Sequence, residues 1–225
     1  MTPGGVGGCG GSGANPTGDL QSRLIAAAAA VIAENVERLS ALDRAIGDGD
    51  HGINLNRGFS ALAAAREQLA AEPLGRALQN AGTMLVMKVG GASGPLYGSL
   101  LMAMGKTLGD AAPTPERVVA MVDAGVAAVK ARGRSDAGEK TMLDVLVPVA
   151  DALRRAAVAG VARAELVDAV LRAADQGLEA TRDLAATKGR ASFLGRRSVG
   201  TLDPGAQSSC LLVHAVCGVI MEDAK

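Results

Sequence analysis

Between Leu42 and Gly58 the chain reads LDRAIGDGDHGINLNRG, which sets Asp43, Asp48 and Asp50 within eight residues, among Gly47, Gly49 and Gly52. Whatever fold this chain adopts must give those carboxylates a cation or open solvent, because like charges so close repel one another. Glycine permits the tight curl that would bring all three together. Asp and Gly are also common turn residues, so the tract taken alone reads equally well as a solvated turn. Register excludes an EF-hand: with Asp43 at the first position, Asp48 falls where Gly is required and Asn54 where Glu is required. Two His and three Cys, none at ligand spacing, leave no expected zinc site. Oxygen ligands on a tight loop suit Mg2+, which keeps several waters and is usually completed by substrate phosphates, so the loop predicts a phosphorylated ligand.

What flanks this loop reads as helix. Hydrophobic residues make up 48% of the chain but aromatics only 1%, and the apolar content is mainly Ala, Leu and Val rather than strand-favouring types. This predicts an all-α fold of one domain, residues 19–225, behind a Gly-rich leader, residues 1–18, too poor in apolar side chains to pack. Periodicity predicts eight helices and no strand. The first runs from about Asp19 as N-cap to Leu42, the second from Ile53 to Ala70, the third from Leu74 to Lys88, and the fourth from Pro95 to Leu108. The fifth carries Val118, Val122, Val126 and Val129. Thr141 caps a sixth, with Met142, Leu146, Val149 and Leu153 as its stripe and Pro148 inside it. Val167, Val170, Ala174 and Leu178 mark a seventh. Asp203 and Pro204 open an eighth as N-cap and first helical residue. Its stripe is expected to include Leu212, Val216 and Val219, with His214 buried as a satisfied core histidine. Cys210 and Cys217, lacking a CxxC spacing, read as small core residues in a reducing compartment.

Charge and hydropathy narrow the partners. The 23 basic and 23 acidic residues balance, so no global field recruits nucleic acid or an anionic membrane. The longest apolar run, Leu24 to Ala33, is about half a bilayer span, and no signal peptide is evident. A soluble, cytoplasmic protein is expected.

Consecutive helices joined by short connections are antiparallel, so alternate loops gather at one end. Here those are the four unusual ones: the aspartate loop, the GGASGP turn, the polar stretch Arg132–Lys140, and the segment KGRASFLGRRSVGTLDPG. The Gly-rich turn would present helix N–H groups to an anion. It is neither a Walker A loop, lacking Gly-Lys-Ser/Thr, nor a Rossmann turn, lacking a preceding strand. Singly, these glycines read as helix caps and Lys188, Arg190, Arg196 and Arg197 as a solvated face. Jointly, an acidic loop, an anion-ready helix start and basic loops at one end describe a Mg2+-nucleotide site.

The same motifs, DGDHGxNxxRG, GGASGPLYG, GEKTMLDVL and GRASxLGxRSxGxxDPGAxSS, resemble those of the nucleotide-binding L subunit of dihydroxyacetone kinase, from about residue 20 to the end. The resemblance implies an antiparallel up-and-down barrel of eight helices holding ADP or ATP and two Mg2+ at one end. It implies that Asp43, Asp48 and Asp50 are the Mg2+ ligands and that His51 and Asn54 contact phosphate and the metal shell. Ala92 and Ser93 would donate to phosphates, and Gly133 and Met142 would border the adenine or ribose. Arg197 with the Asp203, Pro204, Gly205 turn would close the pocket. It further implies phosphoryl transfer to dihydroxyacetone held on a separate K subunit. Free-standing L subunits resemble the phosphotransferase-system type, in which ADP stays bound as a cofactor and a phosphohistidine protein recharges it, whereas fused enzymes use exchanging ATP. A homodimer is also admitted. Two other functions fit the same site. One is the ATP domain of a kinase for another ketose or for a fatty acid on a carrier protein; the other is a non-catalytic nucleotide sensor bound to a transcription regulator.

Overall fold

The computed structural model describes residues 16–223. Cys9 and most of the expected leader lie outside the described residues. Ten α-helices and two 3-10 segments, with no strand among the described residues, run in order. They are α1 (Pro16–Glu34), α2 (Val36–Ile46), α3 (His51–Ala64), α4 (Arg66–Ala70), α5 (Leu74–Lys88), α6 (Ser93–Leu108), α7 (Pro115–Gly133), α8 (Leu143–Ala159), α9 (Arg163–Ala180) and α10 (Pro204–Glu222). The 3-10 segments, Thr181–Asp183 and Arg190–Ser198, lie between α9 and α10.

The eight expected helices are present, two of them broken. The first divides at Asn35, whose amide side chain bonds back to the Val31 carbonyl at 2.8 Å, a competition with the helix ladder typical of Asn. The second divides at Ala65. Helix starts also differ from expectation. α1 begins at Pro16, so Asp19 lies in its first turn rather than at its cap. α6 begins at Ser93, which puts Pro95 third rather than first. Thr141 and Asp144 do form a reciprocal cap on α8: the Thr141 hydroxyl accepts from Leu143 N at 3.2 Å and Asp144 Oδ2 accepts from Thr141 N at 2.7 Å.

Packing closes the helices into a ring. α1 packs on α3, α3 on α5, and α5 through α10 each on the next, while α10 returns to α1. This is the antiparallel barrel. One core cluster centres on Leu39, Leu55, Phe59, Leu85, Tyr97, Val129 and Leu143. Phe59 and Tyr97 meet edge to face at 6.4 Å and 82°. A second, smaller cluster joins α8, α9 and α10 through Val145, Val149, Val170, Ala174, Cys210 and Cys217. The apolar face of α10 matches the expected stripe in part: Val219 is buried and Leu212 is half-buried against the first cluster, but Val216 is exposed, and Ala206, Cys210 and Cys217 complete the buried face. α10 is long and apolar enough to cross a membrane by length and composition. Its first two turns, however, bury Gln207, Ser208 and Ser209, and both serines are hydrogen-bonded in the core, as in a core helix.

Candidate functional site

Antiparallel packing brings the α2–α3, α5–α6, α7–α8 and α9–α10 connections to one end, where they enclose a cleft of about 640 Å³. The aspartate loop forms one wall. Asp43 is buried in the last turn of α2, and its Oδ2 accepts from His51 N at 3.1 Å, tying the loop's entry to its exit. Asp50 is the N-cap of α3 but makes no capping bond with its side chain, so its carboxylate stays available to the loop. The carboxylate oxygens of Asp43, Asp48 and Asp50 come within 4.8 Å of one another. Burial, reinforced by the charge of Asp48, holds the Asp43 carboxyl above its usual range, partly offset by the His51 amide. Three acceptors gathered against mutual repulsion, beside a cleft, fit a divalent cation with oxygen preference. The glycines of the loop serve different ends. Gly49 takes φ +82°, the left-handed conformation that turns the chain. Gly52 permits α3 to touch α2, since a Cβ there would lie 2.2 Å from the Val36 carbonyl oxygen.

Facing this wall is the N-terminus of α6. Ala92 caps it without a side-chain acceptor, so the amides of Ser93 and Gly94 have no helix-internal partner and Pro95 has no amide to satisfy. Gly90, Gly91, Ala92 and Ser93 all line the cleft. An uncapped helix start opposite a carboxylate cluster able to hold a cation is arranged to receive a phosphate chain bridging the two.

His51 lies between these walls, 7% exposed. Its Nδ1 lies 3.0 Å from Ser93 Oγ and its Nε2 3.0 Å from Ser208 Oγ. Ser208 Oγ in turn is 2.8 Å from the Tyr97 hydroxyl, which is 2.9 Å from Ser209 Oγ. The Ser208 hydroxyl donates to the Gly205 carbonyl at 3.0 Å. With that proton committed, His51 Nε2–H and Tyr97 O–H donate to Ser208 Oγ, and Ser93 donates to His51 Nδ1. Burial lowers the imidazole to about 4, so it is neutral near pH 7, as this assignment requires.

The remaining walls come from the last two loops. Gly133, Met142, Asp203, Pro204 and Gly205 line the cleft, as does His51. Asp203 caps α10 by accepting from Ala206 N at 2.7 Å, and burial pushes its carboxyl up to about 7. Asn54 is buried below the cleft rather than in its wall; its Oδ1 accepts from Arg57 at 2.6 Å and lies directly under Gly90. Arg197 is exposed and absent from the lining. The 3-10 segment turns sharply at Gly195, φ +53°, and Arg190 instead reaches the aspartate loop, pairing with Asp48 at 2.7 Å.

Several residues in the lining or buried beneath it carried no expected role. Lys140 is 1% exposed, adopts φ +61°, and donates from Nζ to the carbonyls of Thr181 and Thr201 at 2.5 Å each. It thereby ties the α7–α8 loop to both ends of the last loop. Tyr97 and Ser208 were equally unassigned, although both lie within the quoted motifs GGASGPLYG and DPGAQSS. His214 was expected in the core; its side chain is 43% exposed and pairs with Asp175 at 2.8 Å.

Fold and site together define an all-helical barrel with one end arranged for a divalent cation and an anionic ligand. A profile of the DAK2 domain matches residues 45–218, and the chain belongs to the DAK2-domain family. It is 48% identical over 185 residues to the PEP-dependent dihydroxyacetone kinase 1, ADP-binding subunit DhaL, of Listeria innocua, covering 82% of this chain and 88% of that one. It is 40% identical over 179 residues to the corresponding PEP-dependent ADP-binding subunit DhaL of Escherichia coli, covering 79% and 85%. The crystal structure of the dihydroxyacetone kinase from C. freundii in complex with AMP-PNP and Mg2+ superposes with a TM-score of 0.70 at 25% identity. That match covers 97% of this chain, which spans 38% of the C. freundii kinase.

Proposed function

We propose that this chain is the ADP-binding subunit of a cytoplasmic, phosphoenolpyruvate-dependent dihydroxyacetone kinase. It would act with a separate K-type subunit that holds dihydroxyacetone and with a phosphohistidine protein as donor. The observation that carries this reading is the single cleft in which the carboxylates of Asp43, Asp48 and Asp50 face the uncapped start of α6. The names of the relatives, ADP-binding subunits in both cases, support the nucleotide and the donor type.

Bound Mg2+ and nucleotide supply the transferable phosphoryl group and neutralise the charge that develops on it. This chain's residues do the rest of the positioning. Asp43, Asp48 and Asp50 hold the metal, two ions being the number the family resemblance implies. The amides at the α6 start, that of Ser93 among them, receive phosphate oxygens, and neutral His51 accepts the Ser93 hydroxyl proton and so fixes that side chain from below. Lys188 and Arg190, on the cleft's rim, add positive charge toward the phosphates. Gly133, Met142 and the Asp203–Gly205 turn enclose the base and ribose. Retention of ADP between turnovers would follow from closure of the 188–198 segment over this face, where Phe193 lies 87% exposed at the cleft mouth.

Calorimetry with Mg2+ and ADP tests the reading. Asp48→Ala is expected to weaken ADP binding by at least about tenfold, the scale set by loss of a metal-site residue. Binding as tight as in the unmutated protein would make the aspartate loop structural and overturn the proposal.

A further inference from the structure

Away from the cleft, α9 and α10 bring together three side chains of different chemistry. Cys210 and His214 stand one turn apart on α10, and Asp175 meets them from α9. Asp175 Oδ1 is 2.8 Å from His214 Nε2 and 3.4 Å from Cys210 Sγ, and one ligand atom from each of the three lies within 4.8 Å of the others. With zinc-ligand bonds of about 2.0–2.3 Å, tetrahedral geometry separates neighbouring donor atoms by roughly 3.4–3.6 Å. The triad is thus close to the spacing an ion would impose. We propose that Asp175, Cys210 and His214 form a second metal site, selective for a borderline dication such as Zn2+, that clips α9 to α10.

The donor set distinguishes this site from the aspartate loop. A thiolate, an imidazole and one carboxylate suit Zn2+, whereas the all-oxygen loop suits Mg2+. Their charges also match: thiolate and carboxylate together carry −2 against a +2 ion. On binding, the Cys210 thiol proton leaves to buffer and the ion takes its place. His214 coordinates through Nε2, giving up its bond to Asp175. Cys210 enters from the buried cluster of α8, α9 and α10, while the side chains of His214 and Asp175 are 43% and 60% exposed. That arrangement leaves an entry path and a fourth position for water. The sequence showed no zinc site because two ligands sit on one helix and the third comes from another. His214 is ten residues into α10, roughly 15 Å along its axis from the cleft.

Occupancy would fix α9 against α10, the two helices that bracket the loop carrying Lys188, Arg190 and Asp203. The site would therefore stabilise the frame of the last loop rather than take part in transfer.

The test uses the full chain with Cys9→Ser and Cys217→Ser, saturated with Mg2+ and ADP so that the aspartate loop is occupied, and titrated with Co2+. One equivalent should give a thiolate-to-cobalt charge-transfer band that stoichiometric Zn2+ displaces. Cys210→Ser should abolish the band, and His214→Ala, an exposed change, should weaken Co2+ binding by at least about tenfold. Zn2+ at a hundredfold excess over its Kd should raise the melting temperature by roughly 5–10 °C in the parent and not in His214→Ala. Absence of the band, its survival in Cys210→Ser, or equal affinity in His214→Ala would each overturn the site and leave the triad an ion pair beside a thiol. Should Cys210→Ser fail to fold, His214→Ala and Asp175→Asn decide the matter.

Discussion

At the scale of single residues, the cleft depends on a few positions where a small change meets a rigid neighbour. Gly52 is the sharpest. An added Cβ would lie 2.2 Å from the Val36 carbonyl and 2.7 Å from Ser40 Oγ, so α3 would have to move off α2 and carry Asp50 and His51 with it. Gly52→Ala is expected to cost about 1–3 kcal/mol, the range for overpacking a well-filled site. Thermal unfolding should show a fall of roughly 2–4 °C for each kcal/mol in a chain of this size. Lys140 is a different case, legible as a residue but not as a role. Lysine is almost never fully buried unless paired, so nothing in GEKT announces that its ammonium crosses to Thr181 and Thr201. Lys140→Met keeps the stem but leaves those carbonyls short of a donor. It should destabilise the protein by about 2 kcal/mol, measured as a lower urea midpoint with unchanged slope. The Asp48, Ser93 and Asp203 placements were readable from the motifs that carry the family resemblance, and all three line the cleft. Arg197 was not, because nothing in a basic run says which arginine turns inward. The bend at Gly195 turns the segment so that Arg190, and not Arg197, meets Asp48.

At the scale of elements, helix existence was legible from period and caps, while breaks and faces were less so. Asn35 interrupts a pattern whose apolar residues continue through it. On α10, His214 and Val216 lie outside rather than in the expected stripe, because Leu212, Val213, Ala215 and Val216 surround His214 with apolar neighbours on every side in sequence. An almost uniformly apolar helix does not reveal which stripe faces inward. Its start, in contrast, was unambiguous, with Asp203 and Pro204 as cap and first residue. That cap carries a pH dependence. Asp203 titrates near 3.8 when unfolded and is pushed up to about 7 by burial in the fold. The folded state therefore binds the proton more tightly, so this residue's contribution is fully present below pH 3.8 and is lost as pH rises through about 7. Asp203→Asn retains a capping oxygen and removes the titration. In nucleotide-free protein, its stability relative to the unmutated chain is expected to rise steadily between pH 4 and 7. Urea melts across that window check it, and a constant difference would show that Asp203 does not titrate there.

At the scale of the whole molecule, the barrel gathers four loops into one cleft, but among the described residues it furnishes no free base for a hydroxyl substrate: Asp203, though pushed up to about 7, is buried and spends its carboxylate on the cap of α10. His51 has both ring nitrogens engaged, with Ser93 and Ser208, and burial keeps it neutral and a poor proton acceptor, near 4. His214 stands some ten residues along α10 and faces Asp175 rather than the cleft. The loop carboxylates are occupied in the proposed state by cations. A general base must lie within hydrogen-bond reach of the proton it removes, so that group has to arrive with the subunit that carries the substrate. Alignment of that substrate's hydroxyl with the transferred phosphoryl group would then supply much of the rate. Purified chain with Mg2+, ATP and dihydroxyacetone is accordingly expected to give no turnover above the uncatalysed reaction. Adding a K-type subunit should restore phosphorylation, and a phosphohistidine donor should sustain it with only stoichiometric ADP. Robust turnover by this chain alone would place the substrate base within the barrel and defeat the division of labour. Turnover with the K-type subunit that requires fresh ATP at every cycle would retain the two-subunit site while assigning the nucleotide as an exchanging substrate.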